Sequence, residues 1–235
     1  MATRKQSTLA KLYLIFYNLL QFGGWSFLLY QVVLHFALTK DSQSLSEKFD
    51  SLYENVATTL LFFQGLAFLE ILHARGVLGL VPSPLGTTLM QVFSRLNMVF
   101  VCAQIVAARS HPFFTTMVLA WTVTEIIRYL YYALSTAGQS LVVLTYLRYT
   151  LFYVLYPLGV FSELSCLWYA APAVRHQSKP FVSMHFLDDY KQVFLIFQFL
   201  FIVGYLPGFP TLYNYMRKQR KIQKANDWGN AKKQQ

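Results

Sequence analysis

The sequence predicts an all-α, polytopic membrane protein with six transmembrane helices. Three observations carry this expectation. Hydrophobic residues make up 55% of the 235 positions and charged residues only 13%, whereas a soluble domain usually carries about 25% charged residues. The mean hydropathy is +0.38. The basic residues crowd the ends: Arg4, Lys5 and Lys11 precede the first apolar run, and seven of the 20 Lys and Arg follow Tyr215. A bilayer crossing uses about 20 apolar residues, so this composition furnishes roughly six crossings. Disorder, a coiled coil and a cytosolic globule are excluded. The net charge of +10 does not point to nucleic acid, because basic ends around an apolar middle form the positive-inside pattern. Two cysteines, Cys102 and Cys166, supply neither a disulfide framework nor a four-ligand zinc site; both lie in apolar stretches and read as buried thiols.

The chain reads as a single integral-membrane domain over residues 1–235. Leu12 to Thr39 holds no Asp, Glu, Lys or Arg; that window is too long for a signal-peptide core, and span one is placed at 12–36. The polar stretch from Thr39 to Glu54 reads as a loop, and span two follows at 55–73 with Glu70 and His73 near its end. Gly76, Gly79, Pro82, Pro84 and Gly86 break any helix, which disfavours a seventh span there and starts span three at 87–108. Span four covers 113–134 and carries Glu125 and Arg128 in its second half. Span five covers 141–171, interrupted by Pro157 and Gly159. After a polar loop, span six covers 192–213, and a basic cytosolic tail occupies 214–235.

Six spans put both termini on one side. With both in the cytosol, fourteen Lys and Arg fall on the cytosolic side and six on the other, the asymmetry that the positive-inside rule favours. Lys232 and Lys233, at the fourth and third positions from the carboxyl end of the sequence, form a dilysine retrieval signal of the endoplasmic reticulum. Such a signal is read only on a cytosolic tail, in agreement with the charge count.

Ionisable groups at bilayer depth cost several kcal/mol unless paired or solvated, so each is a functional candidate. Glu125 and Arg128 are three apart and can pair on one helix face. Glu70 and Arg148 read as helix-end anchors. Glu163 is different: no basic residue lies within a turn of it, which suits a general acid or base. Tyr156 precedes it by seven residues, two helical turns and about 10 Å along one face, and the intervening Pro157 and Gly159 allow a bend. The alternative is a core tyrosine and a carboxyl bonded to a neighbouring helix.

The stretch from Leu147 to Glu163, LRYTLFYVLYPLGVFSE, resembles the signature of the membrane very-long-chain (3R)-3-hydroxyacyl-CoA dehydratases, the protein tyrosine phosphatase-like or PASTICCINO-type family. Residues 13–30, Leu69 to His73, Gly79 to Pro84, Gln91 to Arg95, Trp121 to Tyr129 and Tyr205 to Arg220 resemble other stretches of that family, in order and over nearly the whole chain; Ala74 to Leu78 fits least well. The resemblance implies the third step of very-long-chain fatty acid elongation, loss of water from a (3R)-3-hydroxyacyl-CoA to give a trans-2-enoyl-CoA. It implies Tyr156 and Glu163 as the catalytic pair, no cofactor or metal, and three partners: the elongase condensing enzyme, the 3-ketoacyl-CoA reductase and the trans-2-enoyl-CoA reductase.

The residues suit that reaction. Dehydration beside a thioester needs a base at the α-carbon and an acid at the departing hydroxyl. Glu163 as base with Tyr156 as donor is the preferred assignment. The reverse needs a cation beside the tyrosine, whose ordinary pKa is about 10, and Arg148, eight residues earlier, is the candidate. The CoA phosphates are expected to meet cytosolic bases among Arg75, Arg95, Arg128 and Arg148, while the acyl chain lies between helices in membrane lipid. A phosphatase is excluded by spacing: it needs five residues between its cysteine and arginine, but six separate Cys102 from Arg109, and Cys166 has no such arginine. A transporter with Glu163 as proton relay predicts repeated halves with broken helices, and only span five has a clear break. The remaining alternative is a non-catalytic membrane scaffold of the elongase complex.

Overall fold

The computed structural model describes residues 7–38 and 44–233; the side chains of Lys224 and of residues 226–233 lie outside that description, as do Lys40 and Asp41. The described chain is all-helical and contains no strand, only an isolated bridge between Arg75 and Pro84. Helix α1 (Thr8–Leu38) starts where the Ser7 hydroxyl accepts from the Ala10 N–H. Its buried residues Leu14, Tyr17, Asn18, Gln21, Gly24, Trp25, Leu28 and Val32 recur every three or four positions, forming one stripe. That stripe packs on α6 (Pro112–Thr136) and on α2 (Leu45–Leu66). Gly24 permits the close approach to α2, since a Cβ there would sit 2.1 Å from the Phe63 ring.

Helix α2 begins ten residues before the expected span two. Ser44 and Glu47 form a capping box, each side chain satisfying the other's backbone N–H. The first turns of the helix are thus polar, which is why hydropathy alone read them as loop. The helix tightens at Ala67 and Phe68, whose N–H groups reach back three residues to Gln64 and Gly65, and a short α3 (Leu69–His73) follows. The connection from Ala74 to Pro84 is folded back on α3: Val81 N–H donates to the His73 carbonyl and Leu78 N–H to that of Leu72. Gly76 takes a φ of +111° in this turn, a region open to glycine.

Helix α4 (Leu85–Gln104) stops at an extended Ile105, and α5 (Val106–Arg109) resumes. Gln104 explains the stop. Its carbonyl, which a continuing helix would offer to Ala108, accepts the Val182 N–H at 2.9 Å, and its side chain bonds Ser183 and Met184. Span five differs most from expectation. It is two helices, α7 (Val142–Arg148) and α8 (Phe152–His176), joined by a tightened turn in which Thr150 and Tyr153 N–H groups reach back only three residues. Pro157 and Gly159, the expected break, lie within α8, and the helix runs five residues past the expected end. After a 3₁₀ turn (His185–Tyr190), α9 (Lys191–Lys233) stays helical through what was expected to be the tail.

Five segments are long and apolar enough to cross a membrane: Thr8–Leu38, Leu45–His73, Leu85–Gln104, Phe152–His176 and His185–Gln223. Helix α6 is not among them, because Thr115, Thr122, Glu125 and Arg128 lower its hydropathy; all four are buried, and α6 contacts α1, α2, α5, α7 and α8. Large apolar side chains such as Phe16, Phe27, Val33, Phe199 and Leu206 face outward. Polar groups inside and apolar groups outside are the arrangement of a membrane protein.

Candidate active site

One cavity of about 880 Å³ opens between α1, α3, α4, α6, α7, α8 and α9, and Tyr156, Glu163, Arg95, Arg128 and Arg148 are among the residues that line it. Its size is that of a ligand pocket. Thr136, Arg148, Tyr215 and Gln219 line one end, at the ends of α6 and α7 and on the tail-ward part of α9; Ala120, Glu163, Leu200 and Phe201 line the other. From the start of α8 to Glu163 is about 16 Å of helix, so Glu163 lies deep and Tyr156 partway down. Below Leu200, Asn97 of α4 and Gln198 of α9 exchange two amide hydrogen bonds of 3.0 Å each, tying those helices together.

Glu163 is 6% exposed, and both its oxygens are engaged by neutral donors. Oε1 accepts the Trp121 indole N–H at 2.8 Å from α6, and Oε2 accepts the Tyr205 hydroxyl from α9. Among the described residues it has no ion-pair partner. Two donors from different helices therefore fix the carboxylate plane, leaving its remaining lone pairs to the cavity. Gly159, on the same helix one turn earlier, keeps the wall low beside Trp121.

The Tyr156 ring lies flat on Phe209, with centroids 5.1 Å apart and planes 3° from parallel, and Tyr213 continues the stack at 6.3 Å. Aromatic contact thus sets the phenol's direction, while among the described residues no hydrogen bond engages its hydroxyl. A directed, unengaged O–H and a clamped carboxylate share one cavity wall.

The other expected residues separate into two kinds. Arg95, Arg128 and Arg148 line the cavity, and Arg75 does not; it is exposed in the connection after α3, its N–H donating to Ser83. Arg95 and Arg128 both pair with Glu125, and Arg128 also holds Glu70 through two 2.7 Å bonds. The expected Glu125–Arg128 pair is present. Glu70 is not a solitary helix-end anchor: it joins the network, receives the Tyr129 hydroxyl, and Tyr129 meets Gln21 of α1 at 3.2 Å. Arg148 is not on the helix of Tyr156, since the α7–α8 turn intervenes; it donates to Tyr132 at 3.1 Å. Arg95 covers the ring of Trp121, the donor to Glu163, at 5.1 Å.

Sequence reasoning missed Trp121 and Tyr205 as partners of Glu163. Each is 42 residues away, and no spacing rule links them. The only available signal was general: a carboxyl in the bilayer needs donors, and Trp and Tyr bring one polar atom on an apolar body. The reading of Cys102 and Cys166 as buried thiols stands, as both are fully buried.

Residues 64–225 match the family model described as "Protein tyrosine phosphatase-like protein, PTPLA". The chain is 42% identical over 227 residues to "very-long-chain (3R)-3-hydroxyacyl-CoA dehydratase hpo-8" of Caenorhabditis elegans, covering 94% of this chain and 98% of that protein. It is 36% identical over 214 residues to "very-long-chain (3R)-3-hydroxyacyl-CoA dehydratase 2" of Homo sapiens, covering 91% and 81%. With "very-long-chain (3R)-3-hydroxyacyl-CoA dehydratase PASTICCINO 2" of Arabidopsis thaliana the identity is 34% over 218 residues, covering 92% and 94%. No solved structure matches the chain significantly. A match over most of the chain, together with relatives aligned nearly end to end, makes this protein a member of the protein tyrosine phosphatase-like family.

Proposed function

We propose that this protein removes water from (3R)-3-hydroxyacyl-CoA thioesters of very long chain to give trans-2-enoyl-CoA, the third step of fatty acid elongation, with Tyr156 and Glu163 as the acid/base pair. The names of its relatives support the activity. The observation that carries the site is the pairing, on one cavity wall, of a clamped carboxylate and a phenol hydroxyl that have, among the described residues, no counter-ion and no hydrogen-bond partner respectively.

Glu163 takes the proton from the carbon next to the thioester. Electrons from that C–H bond form the new double bond, and the C–O bond to the β-hydroxyl breaks. Tyr156 donates its proton to the departing oxygen, and water leaves. The Trp121 and Tyr205 donors hold Glu163 in register and exclude competing orientations. The reverse assignment, with Tyr156 as base, needs a cation beside the phenol, and Arg148 is bonded instead to Tyr132.

In the same reading α6 also crosses, as span four, which makes six spans; the chain is a single domain of the endoplasmic reticulum membrane, and both termini lie in the cytosol. The burial of the polar face of α6 supports the sixth crossing. The cavity's Arg148 end then faces the cytosol, where CoA is met, and Lys232 and Lys233 serve as the retrieval signal. The elongase condensing enzyme and the two reductases are the expected partners.

The test is conversion of a long-chain (3R)-3-hydroxyacyl-CoA by purified protein in detergent. Wild type is expected to form the enoyl-CoA, and Tyr156→Phe and Glu163→Gln to elute as folded, inactive protein. A monodisperse wild type that leaves the substrate unchanged, even with the three partners supplied, contradicts the proposal.

A further inference from the structure

Three arginines, Arg95, Arg128 and Arg148, are among the residues that line the cavity, and the protein's own carboxylates leave one of them over. Glu125 and Glu70 are taken by Arg95 and Arg128. Glu163 is taken by Trp121 and Tyr205. Arg148, at the opposite end from Glu163, has no carboxylate partner among the described residues. Its Nη2 donates to the Tyr132 hydroxyl, yet its Nε is buried with no hydrogen-bond partner. A guanidinium carries five N–H donors in a fixed fork that fits a phosphate. Tyr132 and Tyr149 flank it, their ring centroids 5.6 and 5.9 Å from the guanidinium carbon. The Tyr132 and Tyr149 side chains thereby hold the fork at the mouth rather than letting it swing into solvent.

We infer that Arg148, alone among the cavity arginines, binds a phosphate of the CoA nucleotide, while Arg95 and Arg128 are consumed by the protein's own carboxylates. This rests on the dehydratase reading above and narrows it, since Arg75 lies off the cavity and two of the other three candidates are already neutralised. The distance along α8 from its start to Glu163, about 16 Å, sets the arrangement: nucleotide at the Arg148 end, pantetheine arm down the cavity past Tyr156, thioester at Glu163. The neighbouring tyrosines at this end, Tyr132, Tyr149 and Tyr215, offer flat faces of the kind on which nucleotide bases stack.

The experiment compares two substrates that share the acyl group and the thioester. One is the (3R)-3-hydroxyacyl-CoA; the other is the matching pantetheine thioester, which lacks every phosphate. The quantity read is the ratio of their kcat/KM values, so a general loss of folded protein cancels. In wild type the CoA thioester is expected to be preferred. Arg148→Gln is expected to lower that preference about 10- to 100-fold, the effect of removing a hydrogen bond to a charged group, and Arg148→Lys to retain part of it. An unchanged ratio in Arg148→Gln overturns the assignment; it is also the outcome expected if Arg148 holds a lipid phosphate or serves packing, because both substrates then suffer alike. Loss of the preference in Arg95→Gln but not in Arg148→Gln overturns it as well. If wild type turns over neither thioester, the dehydratase reading itself falls, a failure distinct from an unchanged ratio.

Discussion

Glu125 and Glu163 are both buried carboxylates, Glu163 lining the cavity and Glu125 bonded to two arginines that line it, and their surroundings differ in kind. On the α3–α4–α6 side, Glu125 is held between Arg95 and Arg128, and Arg128 extends the chain of charge to Glu70. Every charge there is cancelled by another within hydrogen-bond reach. On the α8–α9 side, Glu163 is held by an indole and a phenol, which orient it and cancel nothing. The first arrangement suits a joint between helices: it links α3, α4 and α6, and through Tyr129 and Gln21 it reaches α1. The second suits a group that must change its proton. The same residue type is made structural or chemical by the charge of its partners.

The largest expected effect breaks the chemical side. Tyr156→Phe removes the unengaged hydroxyl and leaves the ring stack on Phe209, so folding should be retained while kcat for dehydration falls by about 10²–10⁴, the contribution of a positioned general acid or base. Thermal unfolding beside steady-state kinetics checks this; wild-type turnover in the variant removes Tyr156 from the chemistry. Next comes the structural side. Arg128→Met strips Glu125 of one partner and Glu70 of its bidentate one, leaving buried charge uncompensated, at an expected cost of about 3–5 kcal/mol, read as a lowered unfolding midpoint in detergent. An unchanged midpoint sinks the view that this network joins the helices.

Smaller effects sharpen the comparison. Tyr205→Phe should leave Glu163 in place on Trp121 alone. Losing one hydrogen bond to a charged group is worth about 1.5–3 kcal/mol, so a fall of roughly 10- to 100-fold in kcat is expected, with KM moving far less. A change confined to KM would make Tyr205 a substrate contact rather than a positioning residue. The smallest effect is remote from both sides. Gly24→Ala forces the Phe63 ring away from α1, and overpacking of this kind costs about 1–3 kcal/mol. Unfolding should register it, and the ratio of activities on different substrates should not.

The membrane class, the glycine- and proline-rich connection around Pro82 and Pro84 and the belonging to a family were legible because each is written in local composition or motif. The early start of α2 was also legible, in Ser44 and Glu47, which spell a capping box, but hydropathy outweighed it. The break between α7 and α8 was not, since Pro157 drew the expected bend to a place where the helix runs on. Within the site, Tyr156 and Glu163 stood out by type and spacing. Their surroundings did not: Trp121 and Tyr205 reach Glu163 from other helices, and only the packing of α6, α8 and α9 brings them together. The division of the arginines was equally hidden, because it depends on which carboxylates α3 and α6 deliver.

The most direct measurement crosses the two carboxylates: Glu163→Gln and Glu125→Gln, each assayed for dehydration of a (3R)-3-hydroxyacyl-CoA and for thermal unfolding. Glu163→Gln should be inactive with a near wild-type midpoint, because the amide keeps a similar shape beside Trp121 and Tyr205. Glu125→Gln should unfold at a lower temperature, and the protein still folded should turn over substrate. Activity in Glu163→Gln, or loss of activity without loss of stability in Glu125→Gln, would contradict the division of labour between the two.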